Sequence, residues 1–211
     1  MVAIRFGTRY TVPMNTPQAF IFIGRSGCGK GTQVQLIIDV LKQKMPEIDT
    51  LYVQTGQEFR TFIQQPSFTA RKSKEMYEAD ILQPEFLTVN MWVKPLIDAY
   101  KGNQHIIFDG TPRKFHEAGV LNSCFGFYGF EKPWVINLDI SEDEAVKRML
   151  ARKRFDDKEA DARKRLAWYE TDVVPTLSYY DGNPAYNFIK IFAEKSIEEV
   201  HADIVKKLGL V

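Results

Sequence analysis

Short runs rich in β-branched and aromatic residues alternate along the chain with stretches whose apolar residues recur every three or four positions. The runs Ala19–Ile23, Leu51–Val53, His105–Phe108, Trp134–Leu138 and Asn187–Phe192 are predicted strands. After the first of them, Val34, Ile37, Ile38 and Leu41 fall at i, i+3, i+4 and i+7, which predicts a helix from about Gly29 that Pro46 ends. Ser141, followed by Glu142, Asp143 and Glu144, reads as the N-cap and acidic first turn of another helix. A long helix is predicted from about Lys158, with Leu166, Tyr169, Val173 and Leu177 on one stripe and a kink at Pro175. Strand alternating with helix predicts an α/β fold, a doubly wound parallel sheet of about five strands covered on both faces. Residues 56–100 are too long for a simple crossover and read as an inserted, mainly helical arm for substrate. The core is expected to span 18–211, and residues 1–17 precede its first strand with no role that the pattern assigns.

Composition narrows the classes. In 211 residues, 45% are apolar, enough for a sizeable core, and the formal net charge of +1 offers no basic field for nucleic acid. The two cysteines, Cys28 and Cys124, cannot make a disulfide framework or a four-cysteine zinc site, and both read as small structural thiols. No apolar run approaches the ~18 residues of a membrane span, and Met1 to Gln18 carries neither a long apolar stretch nor a small-residue cleavage site. A cytoplasmic enzyme, with no membrane partner, is the expectation.

The first predicted strand runs into Gly24-Arg25-Ser26-Gly27-Cys28-Gly29-Lys30-Gly31-Thr32. Its small residues let backbone N–H groups converge on an anion, Lys30 adds a point charge, and the next helix starts there with its positive dipole end. Strand, glycine loop and helix in that order predict nucleotide binding. Asp109 closes the third strand, in a position suited to hold the water shell of Mg²⁺, and Arg113 follows four residues later. Thr55-Gly56 and Arg60 follow the second strand in the same way, and two arginines at strand ends suit bidentate capture of a second phosphate group. Lys147 to Arg165 holds nine basic and four acidic residues. The lysines there read as a solvated face, whereas arginine at 148, 152, 154 and 165 suits charge neutralisation over several phosphoryl oxygens.

Together these residues resemble the adenylate kinase family of nucleoside monophosphate kinases. The resemblance runs from about Gln18 to the C-terminus, on G-R-S-G-C-G-K-G-T-Q (24–33), T-G-Q-E-F-R (55–60), D-G-T-P-R (109–113), R-M-L-A-R (148–152), R-F-D-D (154–157) and R-K-R-L (163–166). It implies a P-loop fold and reversible, Mg²⁺-dependent transfer, ATP + AMP to two ADP. It implies that Gly27, Gly29, Lys30, Gly31 and Thr32 hold the donor's phosphates, that Arg148 packs on the donor base and that Lys195 lies near it. Arg60 and Arg113 would hold the acceptor's phosphate, with Thr55, Gly56, Leu82, Gln83 and Glu117 around the acceptor, in an arm over 54–84. Arg152, Arg154 and Arg165 would clamp the transferring group.

Four departures from the family pattern stand out. Ser26 replaces a proline of the loop, Thr111 replaces a phenylalanine, and Glu117 stands where an adenine-reading glutamine is expected. An ionised glutamate only accepts hydrogen bonds, which suits the two donors of guanine better than the one amino group of adenine, while AMP stays the favoured acceptor. The lid shrinks to a vestige, 152–157, so Arg152 and Arg154 are expected near their working positions without a closing domain, and no zinc-bearing lid is possible without a C-x₂-C pair. A kinase of GMP or of a pyrimidine monophosphate, and a nucleotide sensor that has lost transfer, remain as alternatives. A monomer is the default, with an oligomer left open.

Overall fold

The computed structural model describes residues 11–13, 15–79, 81–152 and 159–211, without the side chains of 152, 159–162 and 165. Five strands, β1 (Ala19–Gly24), β2 (Thr50–Gln54), β3 (His105–Asp109), β4 (Trp134–Asp139) and β5 (Asn187–Phe192), form one sheet in the order β2-β3-β1-β4-β5. All four pairings are parallel; in the centre Phe20 lies opposite Ile107 on one side and Trp134 on the other. The five predicted strands are all present, most of them extended by a residue at one or both ends.

Both faces of the sheet are covered, and alternation along β1 assigns its side chains to them. Phe20 and Phe22 join the core formed with Val34, Ile37 and Leu41 of α1 (Lys30–Lys44) and Val200, Ile204 and Leu208 of α9 (Ile197–Leu208). Ala19, Ile21 and Ile23 join Trp92 and Leu96 of α4 (Glu85–Ala99) and Leu121 and Phe125 of α5 (Phe115–Tyr128) on the opposite face. Each fully buried side chain of this size contributes about 1.5–3 kcal/mol. Ser196 and Glu199 close a reciprocal capping box at the start of α9. The N-terminal extension acquires a structural role here. Val12 is buried in the first core, and its N–H donates to Leu208 O at 2.9 Å, tying the chain to the end of α9.

Between β2 and β3 run α2 (Thr55–Phe62), α3 (Phe68–Glu78) and α4, the predicted inserted arm and the crossover back to the sheet. Beyond β4 come α6 (Glu142–Arg152) and α7 (Glu159–Trp168). The long helix expected from Lys158 is not continuous. It passes from α7 through a π-helical turn, Tyr169–Val173, into α8 (Val174–Tyr180), and Val174 N–H bonds to Tyr169 O five residues back. Pro175 explains the step. In an unbroken α-helix its ring would press on the carbonyl four residues earlier and leave it unbonded, and the wider turn absorbs that conflict.

His105, at the start of β3, is fully buried, and its Nδ1 accepts a hydrogen bond from Gln18 N at 3.1 Å. Burial holds its pKa down to about 4. Because the folded value lies below the unfolded one, this site stabilises the fold fully above about pH 6.5 and loses that contribution as the pH falls toward 4. The expected loss is on the order of 3 kcal/mol. Urea melts of the wild type and His105→Gln from pH 7 to 4 test this, since the substitution should flatten the slope in that window.

Candidate functional site

The connections leaving β1 and β3, neighbours in the sheet, run in opposite directions, to β2 and to β4. A crevice opens outside the carboxyl ends of strands at such a switch point. Here it has a volume of about 760 Å³ and is lined from the glycine loop and the start of α1, the ends of β2 and β3, α2, α3 and residues 81–83, α6 and α7.

The glycine loop forms its floor. Gly27 and Gly29 have φ of 86° and 90°, in the left-handed region that glycine adopts without strain. A Cβ on Gly27 would stand 2.7 Å from the carbonyl oxygen of Ala145, so α6 approaches this backbone as closely as it does only because no side chain intervenes. Gly29 is the N-cap of α1, with no side chain capping that end and no acidic residue in the first turn. The leading N–H groups of a helix that faces a crevice uncapped are an anion site. Lys30 stands at the same place, Nζ donating to Gly24 O at 2.7 Å and Arg25 O at 3.0 Å. Gly27, Gly29, Lys30, Gly31 and Thr32 all line the crevice.

Asp109 lies opposite them, buried, with Oδ2 accepting from the Tyr52 hydroxyl at 2.8 Å; that hydroxyl in turn accepts from Gln54 Nε2 at 3.0 Å. Burial and then the Asp109 charge push the Tyr52 phenol above its ordinary pKa, so it remains a donor. A Cβ on Gly31 would stand 3.9 Å from a polar atom of each of the three. The missing side chain leaves room between the start of α1 and this polar trio.

Three arginines complete the lining. Arg60 donates from Nε and Nη2 to Gln57 Oε1, one turn back on α2, at 3.2 and 2.9 Å. Arg113 donates from Nε to Gly110 O at 2.9 Å, and Arg148 pairs with Glu144 at 2.7 Å on α6. Hydrogen bonds from Arg148 and Lys147 pull the Glu144 pKa down. From the arm, Gly56, Leu82 and Gln83 reach the crevice. The Gln83 side chain is spent on Ser73, accepting from its hydroxyl at 2.8 Å and donating to its carbonyl at 3.0 Å.

Three predicted residues stand off the lining. Thr55 is fully buried at the start of α2. Lys195 pairs with Asp203 at 2.7 Å beside α9. Glu117 is buried on α5, and its Oε2 accepts from Arg113 N at 2.9 Å and from Thr111 Oγ1 at 3.4 Å. Two departures from the family pattern thus touch each other. Burial raises the Glu117 pKa, opposed by the Arg113 N–H and its charge. Arg154 lies outside the described residues, as do the side chains of Arg152 and Arg165.

Sequence reasoning missed Tyr52, Gln54 and Trp168 of the lining. Tyr52 and Gln54 share one face of β2 by the two-residue period, and Gln54 pairs in register with Asp109. That face was legible once Asp109 was placed. Trp168 carries no local signal, because only the fold brings α7 to the crevice.

A sequence model described as adenylate kinase matches residues 22–184. An adenylate kinase of Corynebacterium urealyticum is 35% identical over 180 residues, covering 85% of this chain and 93% of the relative. One of Corynebacterium diphtheriae is 33% identical over 189 residues, covering 90% and 98%. Adenylate kinase 1 of a Nostoc species is 31% identical over 189 residues, covering 90% and 97%. Among the described residues, no helix is long and apolar enough to cross a membrane.

Proposed function

The chain belongs to the adenylate kinase family and is a phosphotransferase, and from that premise we propose that it moves the terminal phosphoryl group of ATP to AMP, reversibly, giving two ADP. The observation that carries this reading is the single crevice that gathers the glycine loop, Lys30, Asp109 and three arginines from separate elements. In this reading the loop amides, Gly27, Gly29, Gly31 and Thr32 seat the donor's phosphates, and Lys30 leaves the two loop carbonyls to follow the charge as it shifts. Arg148 packs on the donor base, and Lys195 lies near it. Arg60 and Arg113 hold the acceptor's phosphate, while Gly56 and the Leu82–Gln83 backbone face the acceptor beside Thr55. Arg152, Arg154 and Arg165 clamp the transferring group, the first two from the vestigial lid. The residues also fit Mg²⁺ held through water, because Asp109 offers a carboxylate, oriented by Tyr52, on the crevice lining that the start of α1 shares. When bound there, the ion neutralises phosphate charge. The chain itself supplies position and electrostatics, with no covalent intermediate. The reading places the protein in the cytoplasm as a monomer, with Cys28 and Cys124 as free thiols.

AMP is favoured over GMP because Glu117 is buried off the crevice lining, with Oε2 held by Arg113 N and Thr111 Oγ1, so it does not present both carboxylate oxygens to a guanine. Base choice then rests on the backbone at Leu82–Gln83. A coupled assay with saturating ATP against AMP, GMP, CMP and UMP tests this. AMP should be used best, and a GMP preference of about tenfold or more would overturn it. Glu117→Gln keeps an acceptor for Arg113 N. It removes a buried acid whose raised pKa costs stability as the pH climbs above the unfolded value near 4.5. The variant should melt higher than the wild type at pH 7 and keep an AMP-to-GMP ratio within about twofold of the wild type, since the side chain lies off the lining.

A further inference from the structure

The π-helical turn and the residue before it receive two guanidinium groups, one from each of the loops facing the crevice. Arg113 Cζ lies 5.5 Å from the centroid of the Trp168 ring, and Arg25 Cζ lies 4.7 Å from that of Tyr169. Arg25 belongs to the glycine loop; its Nη1 donates to Ile140 O at 2.9 Å, and its Nη2 pairs with Glu170, the next residue of the turn. Arg113 belongs to the loop after β3, and its Nε is fixed on Gly110 O. Consecutive aromatic residues, Trp168 and Tyr169, therefore touch both loops, and both line a small cavity together with Lys30, Gly110 and Arg113. π-Helical turns recur at functional sites because the extra residue re-aims the side chains around it.

We infer that Trp168 is a positioning residue for the acceptor's phosphate, its ring backing the Arg113 guanidinium so that the planar fork is held from two directions. With Nε on Gly110 O and one face within cation–π range of the indole, the guanidinium keeps its orientation before the acceptor arrives. Tyr169 and Glu170 secure Arg25 from the same turn, so the spacing of the donor and acceptor loops is set by one element. The inference rests on the reading that Arg113 serves the acceptor, and the experiment separates the two.

AMP and ATP are varied independently in steady-state assays of Trp168→Leu, Trp168→Phe and Arg113→Ala. Trp168→Leu should raise the AMP KM by about fivefold, the order of one cation–π contact. The ATP KM should stay within about twofold, and Trp168→Phe should recover most of the loss. A second readout needs no destabilised variant. Trp92 and Trp134 are buried in the core, at 0% and 1% exposure, whereas Trp168 is half-buried on the crevice wall. AMP should therefore change the tryptophan emission of the wild type, and the change should vanish in Trp168→Phe while calorimetry still detects AMP binding. The inference is overturned if AMP leaves wild-type emission unchanged. It is also overturned if Arg113→Ala raises the AMP KM while Trp168→Leu does not, or if Trp168→Leu raises both KM values equally. An unchanged AMP KM in Arg113→Ala overturns the acceptor role of Arg113, and this inference with it.

Discussion

Lys30→Ala is expected to lower kcat by about 10³-fold or more, the size of losing one preorganised electrostatic group at the reacting centre. The lysine opens α1, and its Nζ is held by the carbonyls of Gly24 and Arg25 at the floor of the crevice. Those two acceptors are backbone dipoles, and a triphosphate carrying several negative charges outcompetes them for the ammonium. The side chain belongs to neither large core cluster, and its ammonium folds back on the glycine loop. The variant should therefore keep its circular dichroism spectrum and melt within a few degrees of the wild type, with its defect confined to turnover. Lys30→Arg should not rescue, because a planar fork cannot occupy the place of a compact ammonium between two carbonyls. Near-normal turnover in a folded Lys30→Ala protein would overturn the site.

Gly27→Ala should be among the most damaging single-methyl changes in the loop. The backbone there has φ of 86°, and the new Cβ would meet the Ala145 carbonyl oxygen at 2.7 Å and Met149 Cγ at 3.2 Å. The left-handed conformation costs an L-residue about 1–2 kcal/mol. The contact with backbone cannot be relieved by a rotamer change, so the loop or α6 must move. Arg148 lies on α6, so movement there also shifts a lining arginine. A displacement of about 1 Å at such a site is worth about 10²-fold in rate, and kcat/KM for ATP should fall by that order. Thermal melting should fall with it, in contrast to Lys30→Ala, and that contrast separates geometry from charge. A Gly27→Ala enzyme with kcat/KM for ATP within threefold of the wild type would show that the loop is not a fixed cradle.

The strands, the glycine loop and the ordered motifs were readable because their signals are local. Runs of β-branched and aromatic residues place β1 to β5, and a period of 3.6 places α1. Gly24, Gly27 and Gly29 supply the positive φ that the loop requires, and Asp109 at the end of a buried run lies at the sheet's carboxyl edge. Pro175 marked the break in the last long helix but not its form, since a kink and a π-helical turn are two answers to one missing N–H.

By itself, then, the chain determined a parallel α/β sheet and a glycine loop at its first strand, and it proposed arginines for phosphate contact. Each of these follows from a residue and its immediate neighbours. The tertiary structure alone decided what those residues touch. It set Tyr52 on Asp109, laid Trp168 under Arg113, and tied Val12 to the end of α9. These are contacts between segments far apart in sequence, and their partners are chosen by strand order and helix packing, which no local pattern of hydrophobic and polar positions encodes.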